Sequence, residues 1–196
     1  NIVAEAEKLA KSGVKEIILV AQDTTRYGED LYGTQKLAEL IKKIAQIDDI
    51  KWIRTLYSYP ERITDELIET VASTEKAVKY FDIPIQHCNE TVLKRMNRKG
   101  DREQLTDLIS KIRAKIPNVI LRTTLITGFP GETKEQFEEL CEFVKDIKFD
   151  RLGCFAYSEE EDTIAATFPD QIDKQLRTDR AEIIMNDQSL ICKQKN

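Results

Sequence analysis

The side chains able to do chemistry in this sequence gather where short apolar runs stop. The run Glu16 to Ala21 gives way to Gln22-Asp23-Thr24-Thr25-Arg26-Tyr27-Gly28, a loop of hydrogen-bonding groups that is long for a strand-to-helix connection. Trp52 to Tyr57 passes into Ser58-Tyr59-Pro60, and Tyr80 to Ile85 stops at Gln86 and His87, the sole histidine. Val119 to Thr127 carries Arg122 inside an otherwise apolar stretch and runs into Gly128-Phe129-Pro130-Gly131-Glu132-Thr133. Arg151 to Tyr157 closes on Phe155-Ala156-Tyr157, ahead of the acidic Glu159-Glu160-Glu161-Asp162. Each group has a structural reading beside a chemical one. Gly128 and Gly131 permit a tight turn that Pro130 fixes, or bring backbone close to a ligand. A lone histidine is a core residue or a ligand contact, and no second His or Cys partner is in sequence reach for a metal. Arg122 requires a carboxylate, from the protein or from a ligand. The acidic run is a solvated loop or a docking point for a basic protein.

The four cysteines, Cys88, Cys141, Cys154 and Cys192, form no C-x-x-C or C-x-x-x-C pair. That spacing argues against a local zinc or cluster motif and against a disulfide scaffold, and predicts free thiols in a reducing cytoplasm. The net charge of −5, without a block of Lys or Arg, gives no electrostatic footprint for nucleic acid. Hydrophobic residues make up 41% and charged residues 33%, the balance of a soluble globular domain rather than a disordered chain. No apolar run approaches the roughly 18 residues of a membrane span. The acidic, amphipathic opening Ile2 to Glu7 does not fit a signal peptide.

The elements that position these groups alternate. Apolar residues recur at helical spacing in Leu37, Leu40, Ile41 and Ile44, in Leu105, Leu108, Ile109 and Ile112, and in Phe137, Leu140, Cys141, Val144 and Ile147. Asp101 with Gln104, and Thr133 with Gln136, read as capping boxes. Between the helices lie five β-branched and aromatic runs, whose starts recur at roughly 35-residue intervals, about one βα unit. The pattern predicts an α/β fold, a parallel sheet with outer helices. Ligands of such sheets bind at the carboxyl ends of the strands, where all the groups above lie. The chain opens on a helix, Ile2 to Ala10, so a first strand is expected to be missing upstream. Gln171 to Lys195 reads as a long final helix leading towards a further domain.

Taken together and in order, these segments resemble the radical S-adenosylmethionine (SAM) methylthiotransferases. Gly128 to Thr133 occurs in several radical SAM families. Ala21 to Gly28, Leu56-Tyr57-Ser58-Tyr59-Pro60, Ile83-Pro84-Ile85-Gln86-His87, Arg122-Thr123-Thr124 and Phe149-Asp150-Arg151-Leu152-Gly153 narrow the match to the branch that modifies an aspartate of ribosomal protein S12. The tRNA-modifying sister branch typically has Gly-Gln-Asn, Ser-His-Pro and Gln-Ser-Gly at the first three places, and an Asp where this chain has Thr124. The resemblance implies a partial (β/α) TIM-like barrel of the radical SAM type, with residues 1–196 as a core fragment and residues 171–195 leading towards a missing TRAM domain. It implies SAM as cofactor and [4Fe–4S] clusters in the longer protein, with ligands outside this chain, because no cysteine here fits C-x-x-x-C-x-x-C. It further implies ribosomal protein S12 or the small ribosomal subunit as partner, a reductant protein such as flavodoxin, and action in the cytoplasm. By position, Gln22, Asp23 and Thr24 are expected near the methionine end of SAM. Gln86, His87 and Arg122 are expected at its carboxylate or ribose, and Phe155 and Tyr157 at the adenine, with Tyr57 walling the cavity and Gly128 beside the cofactor. The readings that compete are a tRNA methylthiotransferase core and a protein-binding module without catalysis.

Overall fold

The computed structural model describes residues 2–195. In chain order the elements are α1 (Ile2–Lys11), β1 (Glu16–Leu19), α2 (Glu29–Tyr32), α3 (Leu37–Ala45), β2 (Trp52–Thr55), α4 (Asp65–Ser73), β3 (Tyr80–Gln86), α5 (Glu90–Arg95), α6 (Arg102–Lys115), β4 (Ile120–Thr127), α7 (Lys134–Ile147), β5 (Arg151–Ala156) and α8 (Lys174–Lys195). Every strand expected from the sequence forms. The chain divides into two compact units: the chain up to Ile83 with Ser110–Leu121, and Pro84–Ile109 with the chain from Arg122 onward. Strands β3 and β4 begin in the first unit and end in the second.

In the first unit β1 and β2 pair in parallel, Glu16 opposite Trp52 and Leu19 opposite Thr55. On its other side β2 meets the segment before β3, through a parallel bridge between Ile53 and Ala77. The periodicity that predicted α3 has a physical outcome, since Leu37, Leu40, Ile41 and Ile44 are all buried while Lys42 and Lys43 face solvent. Leu67, Ile68 and Val71 of α4 are buried too. Each such side chain contributes about 1.5–3 kcal/mol on burial. Thr64 caps α4, its hydroxyl accepting from Leu67 N at 3.2 Å. Both β1 and β2 end two residues earlier than their apolar runs suggest. After β2, Tyr57 takes a left-handed φ of 57°, which turns the chain out of the ladder.

In the second unit β4 and β5 pair in parallel, with Thr124 opposite Gly153 and Ile126 opposite Phe155. β4 alternates strictly: Thr123, Leu125 and Thr127 are buried, while Arg122, Thr124 and Ile126 share the opposite, part-exposed face. Helix α7 starts on a complete capping box, Thr133 with Gln136, as its sequence predicts. Helix α8 packs on β5 and α7. It begins at Lys174 rather than Gln171. Asp173 Oδ1 accepts from Gln175 N and Leu176 N at 2.9 and 3.2 Å, setting the helix start. Gln171 is engaged before the helix, its amide donating to the carbonyls of Ala165 and Phe168 at 2.9 and 3.2 Å. The buried face of α8 is partly polar, with Arg177, Arg180 and Gln188 beside Ala181, Ile184 and Ile191. Leu176, Ile183 and Leu190, apolar in sequence, lie exposed.

Candidate functional site

In the second unit the strand ends enclose a cavity of about 470 Å³, within the range of small-molecule sites. Gln86 ends β3, Thr124 and Ile126 come from β4, and Phe155 and Tyr157 from the end of β5. Strand alternation puts Thr124, Ile126 and Phe155 on one face, with Gly153 between them in register. A Cβ on Gly153 would meet only the Phe155 ring, at 3.7 Å, so this glycine leaves the floor of the face open. Thr163 and Ala165, from the loop after β5, close the rim. A second cavity, of about 560 Å³, shares Gln86, Ile126 and Ala165 with the first and runs towards Met96, Arg98 and Phe168.

Two residues that line the first cavity each carry a buried polar atom with no hydrogen-bond partner among the described residues, Gln86 Oε1 and Tyr157 Oη. Buried polar groups are as a rule satisfied, and an unsatisfied one costs about 1–3 kcal/mol. Gln86 also has a left-handed φ of 72°, a strained backbone of the kind that collects at functional sites. Phe155 is 63% exposed, an aromatic face without cover. An open ring beside unpaired acceptor and donor atoms fits a nucleoside, which offers a flat π-face together with amine and hydroxyl groups.

Three further residues predicted from the sequence also lie in this unit, with different roles. Arg122 is on the cavity face of β4, two residues before Thr124. Gly128 takes φ +70°, and a Cβ there would come within 2.5 Å of Arg177 Cγ. Its N–H donates to Glu132 Oε2 at 2.7 Å. Gly128 is therefore a turn and a close packing contact, with its amide already engaged. His87 is fully buried and away from the cavity lining. Its Nδ1 accepts from Asn89 N at 2.9 Å and its Nε2 lies 3.9 Å from Glu132 Oε2. Burial first, and the Arg180 charge second, lower its pKa to about 3, so the ring is neutral and no ion pair forms with Glu132. Glu132 has its pKa raised by burial, opposed by Arg180, whose guanidinium donates to Glu132 Oε1 at 2.9 Å and to Glu132 O at 3.0 Å.

The other four predicted residues lie in the first unit. Thr24 is buried, and its hydroxyl donates to Leu56 O at 2.8 Å while its N–H donates to Tyr57 O at 3.0 Å. It ties the exit of β1 to the exit of β2. Asp23 Oδ1 accepts from Thr25 N at 3.0 Å and from the Thr25 hydroxyl, and Arg62 Nε lies 3.6 Å from Asp23 Oδ2. Gln22 is exposed. Tyr57 is 40% exposed, and its N–H donates to Asp82 Oδ2 at 3.3 Å. Sequence reasoning missed Thr124, Ile126, Thr163 and Ala165, among others, as cavity residues. The alternation of β4 carried a signal for Thr124 and Ile126; the loop carried none for Thr163 and Ala165.

The thiols do not fit an iron–sulfur cluster. Among the described residues no group of three or more His, Cys, Asp or Glu could hold a metal ion. Burial raises Cys141 to about 11 and Cys154 to about 12, and pushes Cys88 up as well, away from the thiolate that ligation needs.

The fold has counterparts. The chain belongs to the radical SAM superfamily, whose family model matches residues 1–144. It is 51% identical over 196 residues to the ribosomal protein uS12 methylthiotransferase RimO of Clostridioides difficile. It is 55% identical over 185 residues to the protein of that name in Alkaliphilus oremlandii. It spans only 44% and 42% of the length of those two relatives. Among solved structures, coproporphyrinogen III oxidase from Escherichia coli, a radical SAM enzyme, superposes with a TM-score of 0.69 at 18% identity, covering 98% of this chain and 44% of that one. The radical SAM methyltransferase TsrM from Kitasatospora setae, with cobalamin and a [4Fe-4S] cluster bound, gives 0.60 at 16% identity, covering 78% of this chain and 29% of that one. These likenesses show the fold: the α/β arrangement expected from the sequence is that of the radical SAM enzymes.

Proposed function

We propose that this chain is the SAM-binding core of a radical SAM methylthiotransferase that attaches a methylthio group to an aspartate of ribosomal protein S12. The whole-chain identity to the RimO proteins supports the reaction and the substrate. The observation that carries the binding reading is the pair of unpartnered atoms, Gln86 Oε1 and Tyr157 Oη, on residues that line a cavity walled by the open ring of Phe155. When bound, SAM would supply radical chemistry. This chain's residues bind and orient its nucleoside. Phe155 stacks on adenine, Gln86 Oε1 accepts from a ribose hydroxyl or the adenine amine, and Ile126 gives the apolar floor. Arg122, on the same face of β4, takes the methionine carboxylate. A [4Fe–4S] cluster would be held by residues outside this chain and would supply the redox chemistry, with a small reductant protein such as flavodoxin as the electron source. Among the described residues no helix is long and apolar enough to cross a membrane. The place of action is the cytoplasm, where ribosomal protein is at hand.

Calorimetry with S-adenosylhomocysteine on the whole protein carrying this sequence tests the cavity. Gln86→Ala and Phe155→Ala are each expected to weaken binding about tenfold, the scale of one lost hydrogen bond or stacked ring. Unchanged affinity in both removes the cavity from the site. Mass spectrometry of ribosomal protein S12 from cells lacking the gene tests the substrate. Unmodified S12 is expected, and normally modified S12 with a defect in tRNA would favour the tRNA-modifying branch instead.

A further inference from the structure

Helix α8 lies beyond residues 1–144, the stretch that the radical SAM family model matches. Its first turns nevertheless carry two buried arginines, Arg177 and Arg180, three residues apart and so on one face. A buried guanidinium is costly unless each of its donors is used. All three nitrogens of the Arg177 guanidinium donate, one of them at the end of β5 and two to the segment just before α8. Nη1 donates to Tyr157 O at 3.3 Å, Nη2 to Gln171 Oε1 at 3.2 Å and Nε to Ile172 O at 2.6 Å. The guanidinium carbon also lies 5.2 Å from the centroid of the Tyr157 ring, within cation–π range. From below, the aliphatic stem of Arg177 fills the space against Gly128 where a Cβ would sit, and its carbonyl accepts from the Thr127 hydroxyl at 3.3 Å. One side chain thus touches the end of β4 and the end of β5 together. Phe129 completes the setting of Tyr157, edge-on at 5.2 Å between ring centroids.

We propose that Arg177 is a positioning residue for the nucleoside cavity: it fixes the backbone and ring of Tyr157, and so the β5 wall against which the adenosyl group of SAM lies. The inference rests on the reading of this cavity as the adenosyl site. Arg177 itself lies outside the cavity lining and acts through Tyr157. Gly128 follows from the same device. It is glycine because the stem of Arg177 occupies the place of its side chain.

The test uses the whole protein carrying this sequence, with S-adenosylhomocysteine and 5′-deoxyadenosine as calorimetric probes. Arg177→Met keeps the stem against Gly128 and removes only the guanidinium. It is expected to weaken both probes by the same factor, about tenfold, because the contact lies on the half they share. A purely structural role would lower the melting temperature and leave both affinities at wild-type values well below the melt; that result overturns the proposal. Phe155→Ala is the control for the site itself. If it weakens both probes while Arg177→Met does not, Arg177 has no positioning role and the cavity reading stands. If neither variant changes affinity, the cavity reading has failed. Should Arg177→Met not fold, Arg177→Lys takes its place, keeping stem and charge without the planar fork. A loss of about threefold is expected for it, and full wild-type affinity overturns the proposal.

Discussion

His87 shows how far one residue's meaning depends on its surroundings. A single histidine at a strand end next to Gln86 is a natural candidate for a ligand contact, and the two side chains part company in the fold. Gln86 lines the cavity and keeps an unpaired side-chain oxygen, while His87 is fully buried beside Glu132. The left-handed φ of 72° at Gln86, the last residue of β3, turns the chain there and sends His87 away from the strand direction. Burial has a consequence for stability. The ring titrates near the ordinary 6.5 when unfolded and at about 3 when folded. Between those values the unfolded chain binds a proton that the folded chain does not, so stability falls as pH falls. The slope attributable to His87 is about 1.4 kcal/mol per pH unit. Urea unfolding between pH 7 and pH 4 is expected to show His87→Gln losing less stability on acidification than the wild type. Parallel slopes in the two proteins would refute the neutral, buried histidine. Glu132 acts in the other direction. Its raised folded pKa means the folded chain keeps a proton the unfolded chain has released, and that contribution is lost as pH rises.

Among the elements, those with local signals formed as their sequences read. Helix α7 has the capping box at Thr133 and Gln136 and buries Phe137, Leu140, Val144 and Ile147. Thr133→Ala removes the acceptor for Gln136 N, at 3.3 Å, and is expected to cost about 1 kcal/mol in a thermal or urea melt. A change within error would mean that the helix start is held by other contacts. Helix α8 was legible only in part. Its length showed in the sequence, but its orientation did not, because apolar residues occur on two of its faces. The packed face takes Arg177, Arg180 and Gln188, whose polar heads find partners in Tyr157 O, Glu132 and Phe149 O. A hydrophobic-periodicity argument ranks residues by side-chain type, and it cannot see that a buried arginine is satisfied by carbonyls distant in sequence.

For the molecule as a whole, the cysteines allow a prediction that separates the parts of the chemistry. The thiols of this chain are dispersed, burial pushes three of them up, and among the described residues they join no group that could hold a metal ion. Replacing Cys88, Cys141, Cys154 and Cys192 together by alanine in the whole protein is expected to leave its iron content and cluster absorption unchanged after anaerobic reconstitution. Loss of iron would place a ligand in this chain and overturn the assignment. The sequence by itself determined the order of strands and helices, because periodicities of two and near 3.6 are local and the caps act within a few residues. It also pointed to the strand ends, where parallel sheets open, as the candidate place for chemistry. Only the tertiary structure decided which of those residues face one cavity. Gln86, Phe155 and Tyr157 line it with Thr124 and Ile126, whereas Gly128 and His87 serve the packing behind it. That decision depends on register, on backbone turns such as φ 72° at Gln86, and on partners 40 to 50 residues away such as Arg177 and Arg180. Of these, only the Arg177 stem leaves a mark at the position it controls, the glycine at 128.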